Sequence, residues 1–114
     1  MAALTLQTLD KVSFGNALTW EKKDSAVTSG YKAYLIPNEV KEGVWVRVKV
    51  NTAANFSIGY VGDSDQAMAL GTHEVVDALG VAQTASIDVK LNSLVRAAVV
   101  TLNSGSIDIT VRAK

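Results

Sequence analysis

The chain has no cysteine and one histidine, His73, in 114 residues. Without thiols there is no disulfide, no thiolate nucleophile and no cysteine-bound metal. Zinc sites draw several ligands from those two residue types, so no zinc site is expected. No apolar run approaches the ~18 residues that span a bilayer, so no membrane partner is expected. The opening Met-Ala-Ala-Leu-Thr-Leu-Gln lacks the basic start and long apolar stretch of a secretory signal. A soluble chain made inside the cell is the expectation, and the missing cysteines suit a reducing compartment. Neither charge sign is in excess, with 11 Lys plus Arg against 11 Asp plus Glu. That balance supplies no long-range field to gather phosphates, so nucleic acid is not an expected partner.

Among the residues present, Val44 to Val50 carries the clearest pattern, reading Val-Trp-Val-Arg-Val-Lys-Val. A branched apolar residue at every second position fits no helical stripe of period 3.6 and suits a strand. Val44, Val46, Val48 and Val50 are expected to line a buried sheet face. Trp45, Arg47 and Lys49 then share the other face. An aromatic ring beside arginine suits a protein interface, which makes these three the candidate interface residues. The alternative is that Trp45 lies buried beneath a second face or an adjacent loop.

Taken in order, the chain predicts seven to nine short strands and no amphipathic helix. Residues 1–16, with Leu4, Leu6 and Leu9, form either a first strand or an extended arm. Ala17 to Lys22 alternates weakly, and Glu21 to Asp24 is expected as a charged turn. Tyr31 to Ile36 is a strand ended by Pro37, which cannot donate to a ladder. It is expected to pair with the valine strand. Thr52 to Asn55 is a predicted turn, and Phe56, Ile58 and Tyr60 share a face of the next strand. Gln66 to Leu70 suits one helical turn as well as a strand, and Glu74 to Leu79 is a short strand. Ser86 to Leu91 alternates, with Asp88 and Lys90 outward. Leu94 to Leu102 is apolar enough to be covered on both faces. Asn103-Ser104-Gly105 is a predicted hairpin turn, before Ile107, Ile109 and Val111 alternate with Asp108, Thr110 and Arg112. The pattern predicts one all-β domain over residues 1–114, an antiparallel β-sandwich with a jelly roll or small barrel as variants. A domain of this length buries roughly 65% of its unfolded surface, enough for a core without staples.

Motifs for chemistry are sparse. His73 has no accompanying Gly-x-Ser-x-Gly or comparable nucleophile motif, so no triad is expected. Asp63-Ser64-Asp65 begins like an acidic calcium loop, but Ala67 and Met68 follow where further ligands belong; a solvated turn is the expectation. Single glycines build no phosphate cradle. Asn55-Phe56-Ser57 matches a glycosylation sequon without a secretory context. No catalytic residue, cofactor or metal is expected, and the chain is not expected to be an enzyme.

The run Val46-Arg-Val-Lys-Val-Asn-Thr-Ala-Ala-Asn-Phe-Ser-Ile-Gly-Tyr-Val-Gly-Asp-Ser-Asp65, followed by Met68 and Gly71, resembles a pattern in small structural proteins of tailed phages. The stretch from Val99 to Val111, with its Gly-Ser step and Ile-x-Ile-x-Val ending, is similar to their final hairpin. Together these cover about half the chain, and the first 40 residues add nothing. The resemblance implies a capsid decoration, or cement, protein on the outside of the virion. It implies the major capsid protein as partner and a homo-oligomer, a trimer ahead of a dimer. A tail or head-fibre component and a carbohydrate-binding module built on exposed Trp and Tyr side chains are the alternatives.

Overall fold

A computed structural model describes residues 5–14, 17–62, 74–78 and 84–114. Eight strands and no helix occupy the described residues. They are β1 (Leu6–Thr8), β2 (Asp10–Phe14), β3 (Ala17–Val27), β4 (Gly30–Leu35), β5 (Val44–Val61), β6 (Glu74–Ala78), β7 (Ile87–Leu91) and β8 (Ala97–Ala113). The fold is all-β. The strands are not uniformly short, because β5 runs for 18 residues and β8 for 17. These two pair antiparallel from Val44↔Ala113 to Val61↔Ala97 and form the spine of the molecule.

Both predicted turns on this spine are strand. Thr52 lies opposite Ser106 and Asn55 opposite Ser104, so the two segments meet at the middle of the ribbon. The register shifts three times there, between Val50 and Phe56. Small and polar residues that permit a reversal also permit bulges, which bend a strand without ending it. Gly105 supplies the needed backbone, with φ at 91°. A Cβ at that position would meet the Ala53 carbonyl oxygen and lie 2.6 Å from Ala54 Cα. The predicted charged turn at Glu21 to Asp24 is likewise strand, inside β3.

The bulges divide the ribbon into two halves that carry different neighbours. In the first, Val44 to Val48 pairs with β7, and β8 from Ile107 to Ala113 pairs with β3. In the second, Ser57 to Tyr60 pairs with β6, and β8 from Ala97 to Leu102 pairs with β4. The expected pairing of the Tyr31 strand with the valine strand does not form; β8 lies between β4 and β5. β2 adds antiparallel to β3, and β1 adds parallel to β4, which makes the sheet mixed rather than wholly antiparallel. Only Leu9, itself buried, separates β1 from β2, so the N-terminal segment stitches the edges of the two halves together. The result is one sheet nearly closed into a barrel. Over residues 6–14 the arm alternative is replaced by strands paired within the sheet.

The inward rows explain why this closure holds. Trp20, Ala113, Val44 and Leu91 lie side by side across four strands, and Val111, Val46 and Val89 form the next row. Val44, Val46 and Val48 are fully buried; Val50 is partly buried at the bend and packs against the same core. Burying each such side chain contributes roughly 1.5–3 kcal/mol. Ala98, Val100 and Leu102 continue this core along β8, whereas Ala97 and Val99 join a second buried cluster with Ala33 and Val61. The apolar run is covered on both faces only from Ala97 onward; Leu94, expected within the same strand, lies before β8 and is exposed.

Candidate functional site

Alternation turns Trp45, Arg47 and Lys49 away from the core, and the register decides what stands beside them. Trp45 pairs with Lys90 of β7 on one edge and Arg112 of β8 on the other. Arg47 pairs with Asp88 and Thr110, and Lys49 with Asp108. On β3, Glu21 stands beside Arg112 and Lys23 beside Thr110. Four strands thus present one polar face, with rows of Lys90, Trp45, Arg112 and Glu21 and of Asp88, Arg47, Thr110 and Lys23.

Trp45 is half-buried on this face, and Arg47 and Lys49 are exposed. The ring is neither in the core nor free in solvent. Lys90 Nζ lies 5.3 Å and Lys114 Nζ 5.7 Å from its centroid, within cation–π range. Around the ring is a depression of about 500 Å³ lined by Lys23, Trp45, Arg47, Asp88, Thr110, Arg112 and Lys114. A second, bordered by Lys23, Arg47 and Lys49 among others, continues it toward the bend.

Ion pairs fix part of the face. Arg112 donates through Nη2 at 2.8 Å and Nε at 3.1 Å to the same Glu21 oxygen, and Lys23 Nζ lies 3.2 Å from the other. The Arg112 hydrogen bond, aided by Lys23, holds the Glu21 carboxyl below its ordinary pKa despite some desolvation. Arg47 Nε lies 3.2 Å from Asp88, but both side chains are about two-thirds exposed, so this pair adds little stability. Asp108 accepts from the Ala26 N–H and from Asn51 Nδ2, both at 2.8 Å. The Ala26 bond first, then Asn51, lowers its pKa. Ala26 has φ at 53°, so Asp108 also secures the irregular stretch where β3 changes register against β8.

The three residues expected as an interface therefore do share one face. Sequence reasoning did not attach Lys90, Lys114, Arg112 and Lys23 to them. Alternation marks Lys90 and Arg112 as outward, but no local signal aligns either with Trp45. Among the described residues, no group of three or more His, Cys, Asp or Glu is placed to hold a metal ion. His73, Asp63 and Asp65 lie outside the described residues, as do Gln66 to Leu70.

Fold and surface together define an all-β protein whose nearly closed sheet presents a basic face centred on a tryptophan. No family model and no curated protein matches the chain. Solved structures are similar in outline. A chain of the Bacillus endospore appendages, which form disulfide-linked pili, is 15% identical with a TM-score of 0.43, over 84% of this chain and 88% of that one. PliG of Aeromonas hydrophila, a periplasmic inhibitor of g-type lysozyme, is 15% identical with a TM-score of 0.46 over 100% of both chains.

Proposed function

We propose that the protein is a non-catalytic phage capsid decoration protein that binds the outside of the assembled head and holds neighbouring major capsid subunits together. The observation that carries this reading is the outward face of β5, where Trp45 and Arg47 stand on a strand paired along both edges and Lys49 follows, paired with β8. Such a strand holds its side chains in place before a partner arrives, so little ordering entropy is lost on docking. The sequence resemblance from Val46 to Asp65 and from Val99 to Val111 supports the same role. In this reading the two halves of the bent ribbon act as the layers of a sandwich, and the protein works as a homo-oligomer, a trimer ahead of a dimer. A ligand that binds only the assembled lattice stabilises it by mass action, and many equivalent copies multiply a modest energy per site.

The test is addition of the purified protein to expanded and unexpanded phage shells. Saturable binding to expanded shells, with a rise in their disruption temperature, is the expected result. Trp45→Ala is expected to weaken that binding at least tenfold, roughly the 1–2 kcal/mol or more of an interface anchor, with an unchanged circular-dichroism spectrum. No binding of the wild-type protein to expanded shells overturns the proposal.

A further inference from the structure

The chain is neutral as a whole, yet its charges are unevenly placed. Lys23, Arg47, Lys49, Lys90, Arg112 and Lys114, six of the 11 basic residues, border the two adjoining depressions or flank Trp45. The carboxylates on the same face are already engaged: Asp88 by Arg47, Glu21 by Arg112 and Lys23, and Asp108 by Ala26 and Asn51. Asp24, at the border of the second depression, accepts hydrogen bonds from Tyr34 and Gln7. Among the described residues, neither Lys90 nor Lys114 has a side-chain carboxylate at ion-pair distance; both reach over the Trp45 ring instead. A lysine held on an aromatic face keeps its charge and has donors left for an incoming anion.

We propose that this trough is a docking site for an acidic, Asp- or Glu-rich segment of a partner protein. Its carboxylates pair with Lys90 and Lys114 while its chain lies against the Trp45 ring. The inference rests on assigning this face as the interface, and adds the chemistry of what it binds. A protein segment is favoured over nucleic acid because Asp88 and Glu21 interrupt the cations. A phosphate backbone carries charge at every nucleotide and would meet those carboxylates, whereas an acidic peptide can place its charges only where lysines stand.

The experiment titrates the full chain with poly-L-glutamate, and separately with a single-stranded DNA oligonucleotide of equal charge, following tryptophan emission. Trp20 is buried in the core, so a change on binding reports Trp45. The expected result is a saturable change with poly-L-glutamate that weakens as salt rises from 0.1 to 1 M, where the screening length falls from about 10 Å to about 3 Å. Lys90→Glu with Lys114→Glu is expected to lower the affinity by roughly tenfold or more. If that double variant fails to fold, Lys90→Gln with Lys114→Gln supplies the comparison and is expected to weaken binding in the same direction. No saturable binding of poly-L-glutamate, binding indifferent to both double variants, or tighter binding of the oligonucleotide each overturns the proposal. Shell binding separates the two readings. Double variants that bind expanded shells like the wild type sink this inference and leave the decoration role standing. Charge-dependent poly-L-glutamate binding without shell binding does the reverse.

Discussion

Tyr34 is a fully buried aromatic residue whose hydroxyl needs a partner, and it finds Asp24 Oδ2 at 2.6 Å. Gln7 Nε2 donates to the same oxygen at 2.9 Å, so one carboxylate ties β1, β3 and β4 together. Burial first, then the Asp24 hydrogen bond, raises the Tyr34 pKa far above the ordinary phenol value. Tyr34→Phe keeps the ring and removes the donor, and is expected to cost about 1.5–3 kcal/mol in urea unfolding, as for a hydrogen bond to a charged group. Glu21 and Asp108 both have folded pKa values held below the ordinary ones. A depressed carboxylate contributes stability that is fully present above its unfolded pKa, about 4, and is lost as pH falls through its folded value. Urea midpoints should therefore be level from pH 7 to about 5 and fall below about 4. Asp108→Asn should lower the midpoint at pH 7 and flatten the acid limb. An unchanged acid limb in that variant would remove Asp108 from the account.

At the scale of the element, the spine is a bent ribbon rather than two hairpins. Thr52, Asn55, Asn103, Ser104 and Gly105 have turn-like composition, and a reading of composition alone ends a strand at each place. The full antiparallel pairing of β5 with β8 carries both chains through. Adding a side chain at Gly105 tests the bend. The backbone there is left-handed, and a Cβ would collide with Ala53 and Ala54 across the ribbon. Gly105→Ala is expected to destabilise by on the order of 2–3 kcal/mol, more than the cost of a methyl group at an ordinary strand position. A substitution without effect would show that the ribbon does not need this close approach.

Across the whole molecule, the two faces of one strand divide core from surface. The valines of β5 belong to the core, and the residues between them belong to a basic surface. If that surface docks on the shell, lysine acetylation should be suppressed at Lys49, Lys90 and Lys114 when shells are present. Lys11, exposed on β2 and outside the trough, should react as before. Equal protection of Lys11 and Lys90, or none at Lys90, would count against that orientation. Period-two alternation is a local property, so the all-β class, the buried valine face and the outward Trp45, Arg47 and Lys49 could be read from the chain itself. Strand partners are not local. Trp45 meets Lys90 across 45 positions of sequence and Arg112 across 67, through registers set by hydrogen bonds between distant strands. Neutral composition fixed the total charge. Only the folded sheet, by aligning separate strands row by row, brought Lys23, Lys90 and Arg112 to the face that carries Trp45, Arg47 and Lys49.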